Sequence, residues 1–139
     1  MRRTFRLDGK GSGLALGPLE TKVMEAIWAQ DGWVAISDIH ERFQKPKHEL
    51  AYSTIKTIMT NLAEKGHLQK RSAGRANEFK SVQTRKAFEE SVVGDLLGPL
   101  MRNYRNPLLA HIIDQLEGDA DVAELERLLA EKKAKQRHV

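Results

Sequence analysis

The stretch from Leu50 to Gly66, LAYSTIKTIMTNLAEKG, constrains the fold most, because its apolar residues keep a helical period and the residues directly after it do not. At helical spacing Ile55, Ile58, Met59 and Leu62 share one face, while Ser53, Lys56, Thr57, Thr60 and Asn61 share the other. The first face needs burial. The second offers hydroxyl, amide and ammonium groups with no carboxylate before Glu64, a set that can bond to phosphates and base edges without repelling a polyanion. A plain solvated helix face has the same composition, so the flanking segments decide between the two.

After Gly66 the period changes from helical to extended. HLQKRSAGRANEFKSV reads as two short strands around Ser72-Ala73-Gly74, with Lys70, Arg71, Arg75 and Lys80 in and beside the turn. Upstream, a first helix is expected from Pro18, with Leu19, Val23, Met24, Ile27 and Trp28 as its apolar stripe, ending before Asp31-Gly32. Trp33-Val34-Ala35 has the length of an edge strand. Ser37 is placed to cap a brief second helix, DIHERF, anchored by Ile39 and Phe43 and ended by the proline-containing connector QKPKHE. Three helices, the last two joined by a short turn and followed at once by a basic hairpin, form the order of a winged helix-turn-helix. In that arrangement the third helix enters the major groove and the hairpin touches flanking backbone.

The charge distribution agrees. Residues 1–80 hold 14 Lys and Arg against 9 Asp and Glu, a net +5, whereas residues 81–139 hold 9 against 10, a net −1. A basic first part beside a near-neutral, leucine-rich second part suggests polyanion binding in one module and self-association in the other. Residues 1–17 carry Arg2, Arg3 and Arg6, then GKGSG with Lys10 inside it, before a Gly17-Pro18 break, and read as a flexible basic arm. At 139 residues the chain has room for one domain or two small modules, but not for a large enzyme cleft. No apolar run approaches the roughly 18 residues of a membrane span, and no apolar stretch of signal-peptide length opens the chain, so a cytoplasmic protein without a membrane partner is expected. The absence of cysteine excludes disulfides, thiolate metal sites and cysteine nucleophiles.

The second part begins near Gln83-Thr84, where Thr84 can cap a helix carrying Phe88, Val92, Val93, Leu96, Leu97, Leu100 and Met101. Gly98-Pro99 is expected to kink or break it. Asn106-Pro107 reads as N-cap and first residue of a further helix with Leu108, Leu109, Ile112, Ile113 and Leu116, ended by Gly118. Asp121 and Glu124 have capping-box spacing for a last helix with Val122, Leu125, Leu128 and Leu129, followed by a solvated KKAKQRHV tail. These amphipathic stripes are more than so small a module can bury alone, which points to a homodimer through Val92, Leu96, Leu100, Leu109, Ile112, Ile113, Leu125 and Leu128. The alternative is packing back on the first module of the same chain.

The order of elements, with LGPLETKVMEAIW in the first helix, LAYSTIKTIMTNLAEKGHL in the third and RANEFKSV closing the wing, resembles the penicillinase-repressor family. That family comprises winged-helix repressors of β-lactamase and methicillin-resistance genes. The resemblance runs over about residues 16–130 and implies a dimeric repressor on a dyad-symmetric operator of double-stranded DNA. By position it implies that Tyr52, Ser53, Thr54, Lys56, Thr57 and Thr60 face the groove and that Arg75 meets backbone. Periodicity independently selects Ser53, Lys56, Thr57 and Thr60. Lys56 suits a purine N7 or O6, or a phosphate, and Thr57 a thymine methyl or a phosphate. Antibiotic-responsive members are inactivated by sensor-dependent proteolysis in their C-terminal helices, and Asn103-Tyr104 matches that family's asparagine-aromatic pair as a candidate cleavage site. A plain helix-to-loop junction is the alternative there.

No phosphate loop, H-E-x-x-H or G-x-S-x-G motif occurs, and the histidines at 40, 48, 67, 111 and 138 are scattered. His111 and Asp114 share a helix face but are too few for a metal site, and Glu89-Glu90 is a solvated face. No catalytic residue, metal or cofactor is expected. The sequence therefore predicts a mainly α fold with a small β-hairpin wing: a basic arm over 1–17, a winged helix-turn-helix over 18–82 and a helical dimerisation module with a basic tail over 83–139. A winged-helix scaffold for protein interactions and a ligand-responsive winged-helix regulator are the alternative functions.

Overall fold

A computed structural model describes residues 15–44, 46 and 49–137. The basic residues of the N-terminal arm, together with Lys45, Lys47, His48 and the last two residues, lie outside the described residues. The elements run α1 (Pro18–Trp28), β1 (Val34–Ala35), α2 (Ile36–Glu41), α3 (Tyr52–Glu64), β2 (Leu68–Ala73), β3 (Ala76–Ser81), α4 (Arg85–Asn103), α5 (Arg105–Asp114) and α6 (Gly118–Arg137). The chain divides into two compact units, through Asp95 and from Leu96 onward.

In the first unit, Pro18 opens α1 where its missing N–H costs nothing. Glu20 reaches back to accept the Gly17 N–H at 3.3 Å. Its other oxygen takes Lys65 Nζ at 2.9 Å, so one carboxylate ties the start of α1 to the end of α3. Leu19, expected in the buried stripe, is instead exposed, and Val23, Met24, Ala26 and Ile27 form the inner face. The second helix starts one residue before the expected Ser37 cap. Pairing of Val34 and Ala35 with Phe79 and Glu78 holds those two residues extended, and Asp38 accepts the Ala35 N–H at 2.8 Å.

The three strands order as β1-β3-β2, antiparallel throughout, with Leu68 opposite Ser81 and Ala73 opposite Ala76. The turn is therefore Gly74-Arg75. Ser72 and Ala73, expected in the turn, are paired strand residues. Phe79 at the centre of β3 is 1% exposed and joins Met24, Ile27, Ile39, Ile55, Met59 and Leu62 in the core. Leu16, assigned to the arm by sequence, is also buried in this core.

Thr84 caps α4 as expected, its Oγ1 accepting the Ala87 N–H at 3.1 Å. Trp28 Nε1 donates to Ser81 Oγ at 2.9 Å and to the Gln83 carbonyl at 3.0 Å, tying the strand-to-helix connection to α1. Phe88 packs on the Trp28 ring at 5.4 Å, and Phe88 and Val92 are buried in the first unit's core. This is why the first unit extends past residue 82 into the first half of α4.

In the second unit, α4 continues through Gly98-Pro99 to Asn103, so the expected break does not occur there. One lost donor is outweighed by the bonds of a 19-residue helix, and the Asn103 amide returns a hydrogen bond to the Pro99 carbonyl at 2.9 Å. The break falls at Tyr104, with φ −139° and ψ 45°. Pro107 then sits in the third position of α5 rather than the first, still within the turn whose N–H groups have no helical acceptor. Gly118, expected to end α5, has φ +70° and opens α6 instead, while Asp121 accepts the Glu117 N–H at 2.8 Å. The basic tail is helical through Arg137.

Glu20 supplies a test of the α1–α3 tie. Burial pushes its carboxyl up, but the hydrogen bonds from Lys65 and Gly17 and the nearby positive charges of Lys65 and His67 outweigh it and hold the group below the usual glutamate range. A carboxyl held low stabilises the fold above its unfolded value, and that contribution is lost as pH falls through the native value. Glu20→Gln should cost about 1 kcal/mol at neutral pH in urea unfolding, and the gap to the unmodified chain should close in acid below the glutamate range. A gap that persists unchanged in acid would refute the tie.

Candidate nucleic-acid interface

The candidate interface is built around α3. Ile55, Met59 and Leu62 are fully buried and Ile58 nearly so, which fixes the helix's rotation and turns the opposite side outward. Tyr52, Ser53, Lys56, Thr57 and Asn61 are exposed, with Thr54 and Thr60 half-buried. Ser53, Lys56, Thr57 and Thr60 thus lie on one face as expected, with Tyr52 and Thr54 on its two flanks. Asn61 completes the same strip. Its place there follows from the helical period alone.

The two ends of α3 differ. At its start the N-cap is Ala51, with no side-chain cap and no acidic residue in the first turn, so neither the cap nor a first-turn carboxylate meets the leading N–H groups. At its end Gly66, at φ +88°, donates to the Ala63 carbonyl at 3.1 Å, and His67 donates to that of Leu62 at 2.9 Å. This Schellman motif turns the chain directly into β2. Thr57 Oγ1 donates to the Ser53 carbonyl at 3.0 Å, which commits the hydroxyl proton to the helix's own backbone.

The hairpin stands next in sequence. Gly74 has φ +66° and no other residue than glycine has a positive φ among the described residues, so Gly74-Arg75 has the signature of a type II′ turn, with glycine first. Arg75 is exposed at the tip, and Lys70 and Lys80 are exposed on the strands. Arg71 is used differently. It bonds Glu78, its cross-strand partner, at 2.9 Å and lies over the Trp33 ring at 4.2 Å, so it braces the wing against the β1 approach.

The dimerisation residues expected from sequence separate into two groups. Val92 is buried in the first unit's core, so its side chain is already occupied within one chain. Leu100, Leu109, Ile113 and Leu128 are exposed, and Leu96, Ile112 and Leu125 are half-buried. Neither α5 nor α6 holds a buried residue. Asn103 ends α4, and Tyr104, 62% exposed, is the non-helical residue before α5. On α6, Arg127 pairs with Glu124 and Glu131, which places that edge in solvent. No cluster of three or more potential metal ligands and no helix long and apolar enough to cross a membrane occurs among the described residues.

The penicillinase repressor family model matches residues 16–131. The chain belongs to the penicillinase repressor family. Members of this family are DNA-binding transcriptional repressors, and the fold is a winged helix. The repressor is 28% identical over 120 residues to the transcriptional regulator BlaI of Mycobacterium tuberculosis, covering 86% of each chain. It is 30% identical over 116 residues to a 16.5 kDa protein of Latilactobacillus sakei, covering 83% of this chain and 78% of the other. Among solved structures, the YusO protein from Bacillus subtilis matches at 14% identity and a TM-score of 0.44, over 84% of this chain and 74% of that one.

The wing turn gives a direct test. A Cβ on Gly74 would meet nothing within 4 Å, so the cost of Gly74→Ala is purely that of the backbone conformation. The substitution should destabilise the repressor by about 1–2 kcal/mol in urea unfolding, with the largest amide shifts confined to the hairpin. An unchanged midpoint would contradict the assigned turn.

Proposed function

We propose that the repressor acts as a homodimer on a dyad-symmetric operator, each protomer placing the 52–60 face of α3 in one major groove and Arg75 of the wing against flanking phosphate. The observation that carries this reading is the acid-free exposed strip of α3, its N-terminal end uncapped and its C-terminal end leading directly into a cationic hairpin. Lys56 is the cation on the strip and reads a purine edge. Thr57, its hydroxyl proton committed to Ser53, presents a methyl to thymine. Binding of this kind occludes a promoter, and an operator on the chromosome implies a cytoplasmic protein.

The dimer reading rests on the second unit, whose helices α5 and α6 hold no fully buried residue within one chain while Leu109, Ile113, Val122, Leu128 and Leu129 stay exposed. A second copy of the same helices is the proposed cover, and it would space the half-sites near one turn of DNA, about 34 Å, or a multiple. The exposed Asn103-Tyr104 junction is where a sensor-dependent protease would separate α5 and α6 from the rest and so relieve repression.

Lys56→Ala should cost about 1–3 kcal/mol on a duplex selected from a random pool and relax preference at one base position. Uniform weakening on every sequence, followed by fluorescence anisotropy over a salt series, would reduce Lys56 to a phosphate contact. No selected duplex at low salt would favour a protein-interaction scaffold. Ile113→Asp and a chain ending at Asn103 should both sediment as monomers and bind the selected duplex at least tenfold more weakly than the full chain, a loss of about 1.4 kcal/mol or more. Sedimentation of either as an unchanged dimer would remove both the dimer surface and the logic of cleavage there.

A further inference from the structure

We propose that His40 is a positioning residue for DNA recognition, holding the Tyr52 ring at the leading end of the recognition helix; the proposal rests on the DNA-binding reading above and goes beyond it by bringing α2 into the interface. Tyr52 is the first residue of α3 and 47% exposed. A phenol ring so placed would sample several rotamers and meet DNA in any of them. The structure gives it a partner. The His40 ring, on the last turn of α2, packs against it edge-to-face, with centroids 5.6 Å apart and planes at 85°.

His40 is itself held. Gln44 Nε2 lies 3.0 Å from His40 Nδ1 and 3.4 Å from His40 Nε2, so the Gln44 amide contacts the imidazole along the rim between its two nitrogens. The order of restraint is thus Gln44 to His40 to Tyr52, three residues that reach from the end of α2 to the first turn of α3. Its effect is to select one direction for the phenol beside the open N–H groups of that turn. The hydroxyl can then meet the edge of the half-site without first losing rotamer freedom, a saving in ordering cost at the moment of binding.

The chain holds two tyrosines, so the full-length repressor labelled with 3-fluorotyrosine should give two fluorine lines. The Tyr52 line, displaced by the His40 ring, should move in His40→Ala, return in His40→Phe, and leave the Tyr104 line in place throughout. On a duplex selected from a random pool by the unmodified chain, His40→Ala should bind about 3- to 10-fold more weakly, the scale of one edge-to-face aromatic pair, and His40→Phe should recover most of that loss. In a Tyr52→Ala background His40→Ala should cost nothing further. Unchanged binding by His40→Ala, or a loss of the same size in the Tyr52→Ala background, would overturn the proposal alone. Failure of the unmodified chain to select any duplex would remove the DNA-binding reading and this proposal with it.

Discussion

The rotation of one helix about its own axis decides which side chains this protein turns outward. Ile55, Ile58, Met59 and Leu62 occupy one side of α3, and burying each is worth about 1.5–3 kcal/mol relative to exposure. A turn of the helix by one residue would forfeit several of those burials, far more than any outward contact could return. The polar strip is therefore oriented by the core and not by its own chemistry. The ends are fixed as well: the Schellman motif at Gly66 stops α3, and the Lys65 to Glu20 bond holds that stop against α1. Freedom remains at the leading end, where the N-cap Ala51 supplies no side-chain cap, and in the proposed interface it is there that open N–H groups are needed.

The wing shows how cations of one segment take different tasks. Arg71 is drawn into a bond with Glu78 and a stack on Trp33, both within the sheet. That leaves Lys70, Arg75 and Lys80 outward, on a hairpin whose two-residue turn matches the right-handed twist of its strands. A long flexible wing would offer the same charges at a larger ordering cost. Here the register is fixed by the β1 pairing and by Phe79, so the cations are carried on a framework already ordered by the core.

What was legible in the sequence followed from period and composition. The inner and outer faces of α3, the extended segments of the wing and the Thr84 cap each depend on residues close together in the chain, and they were readable for that reason. The misplacements arose where a distant partner or a competing local bond prevailed. Ser37 lost the capping position because β1 pairing with Phe79 and Glu78 fixed the preceding residues. The turn moved to Gly74-Arg75 because glycine had to stand first in it, which no count of strand residues reveals. Pro99 did not break α4, since a proline's local penalty is set against all the other bonds of a long helix. Val92 fits a heptad-like seam, yet the side of α4 that packs on the first unit's core claimed it. His40 lies 12 positions before Tyr52, outside any local period, and only the tertiary fold brings the two rings together.

The composition of the recognition strip has a consequence for regulation. Short hydroxyl and amide side chains around a single lysine read shape and hydrogen bonds but neutralise few phosphates, so one such strip binds with little electrostatic affinity of its own. Joining two strips makes the second contact intramolecular, and affinity then rises through effective concentration without any new contact. In the proposed dimer the operator affinity is therefore controlled by association of α5 and α6, whose apolar side chains are the exposed ones. A signal that separates those helices can release DNA while leaving every base-reading side chain untouched. In that proposed dimer, the weakness of the single strip is what makes the C-terminal helices an effective place for control.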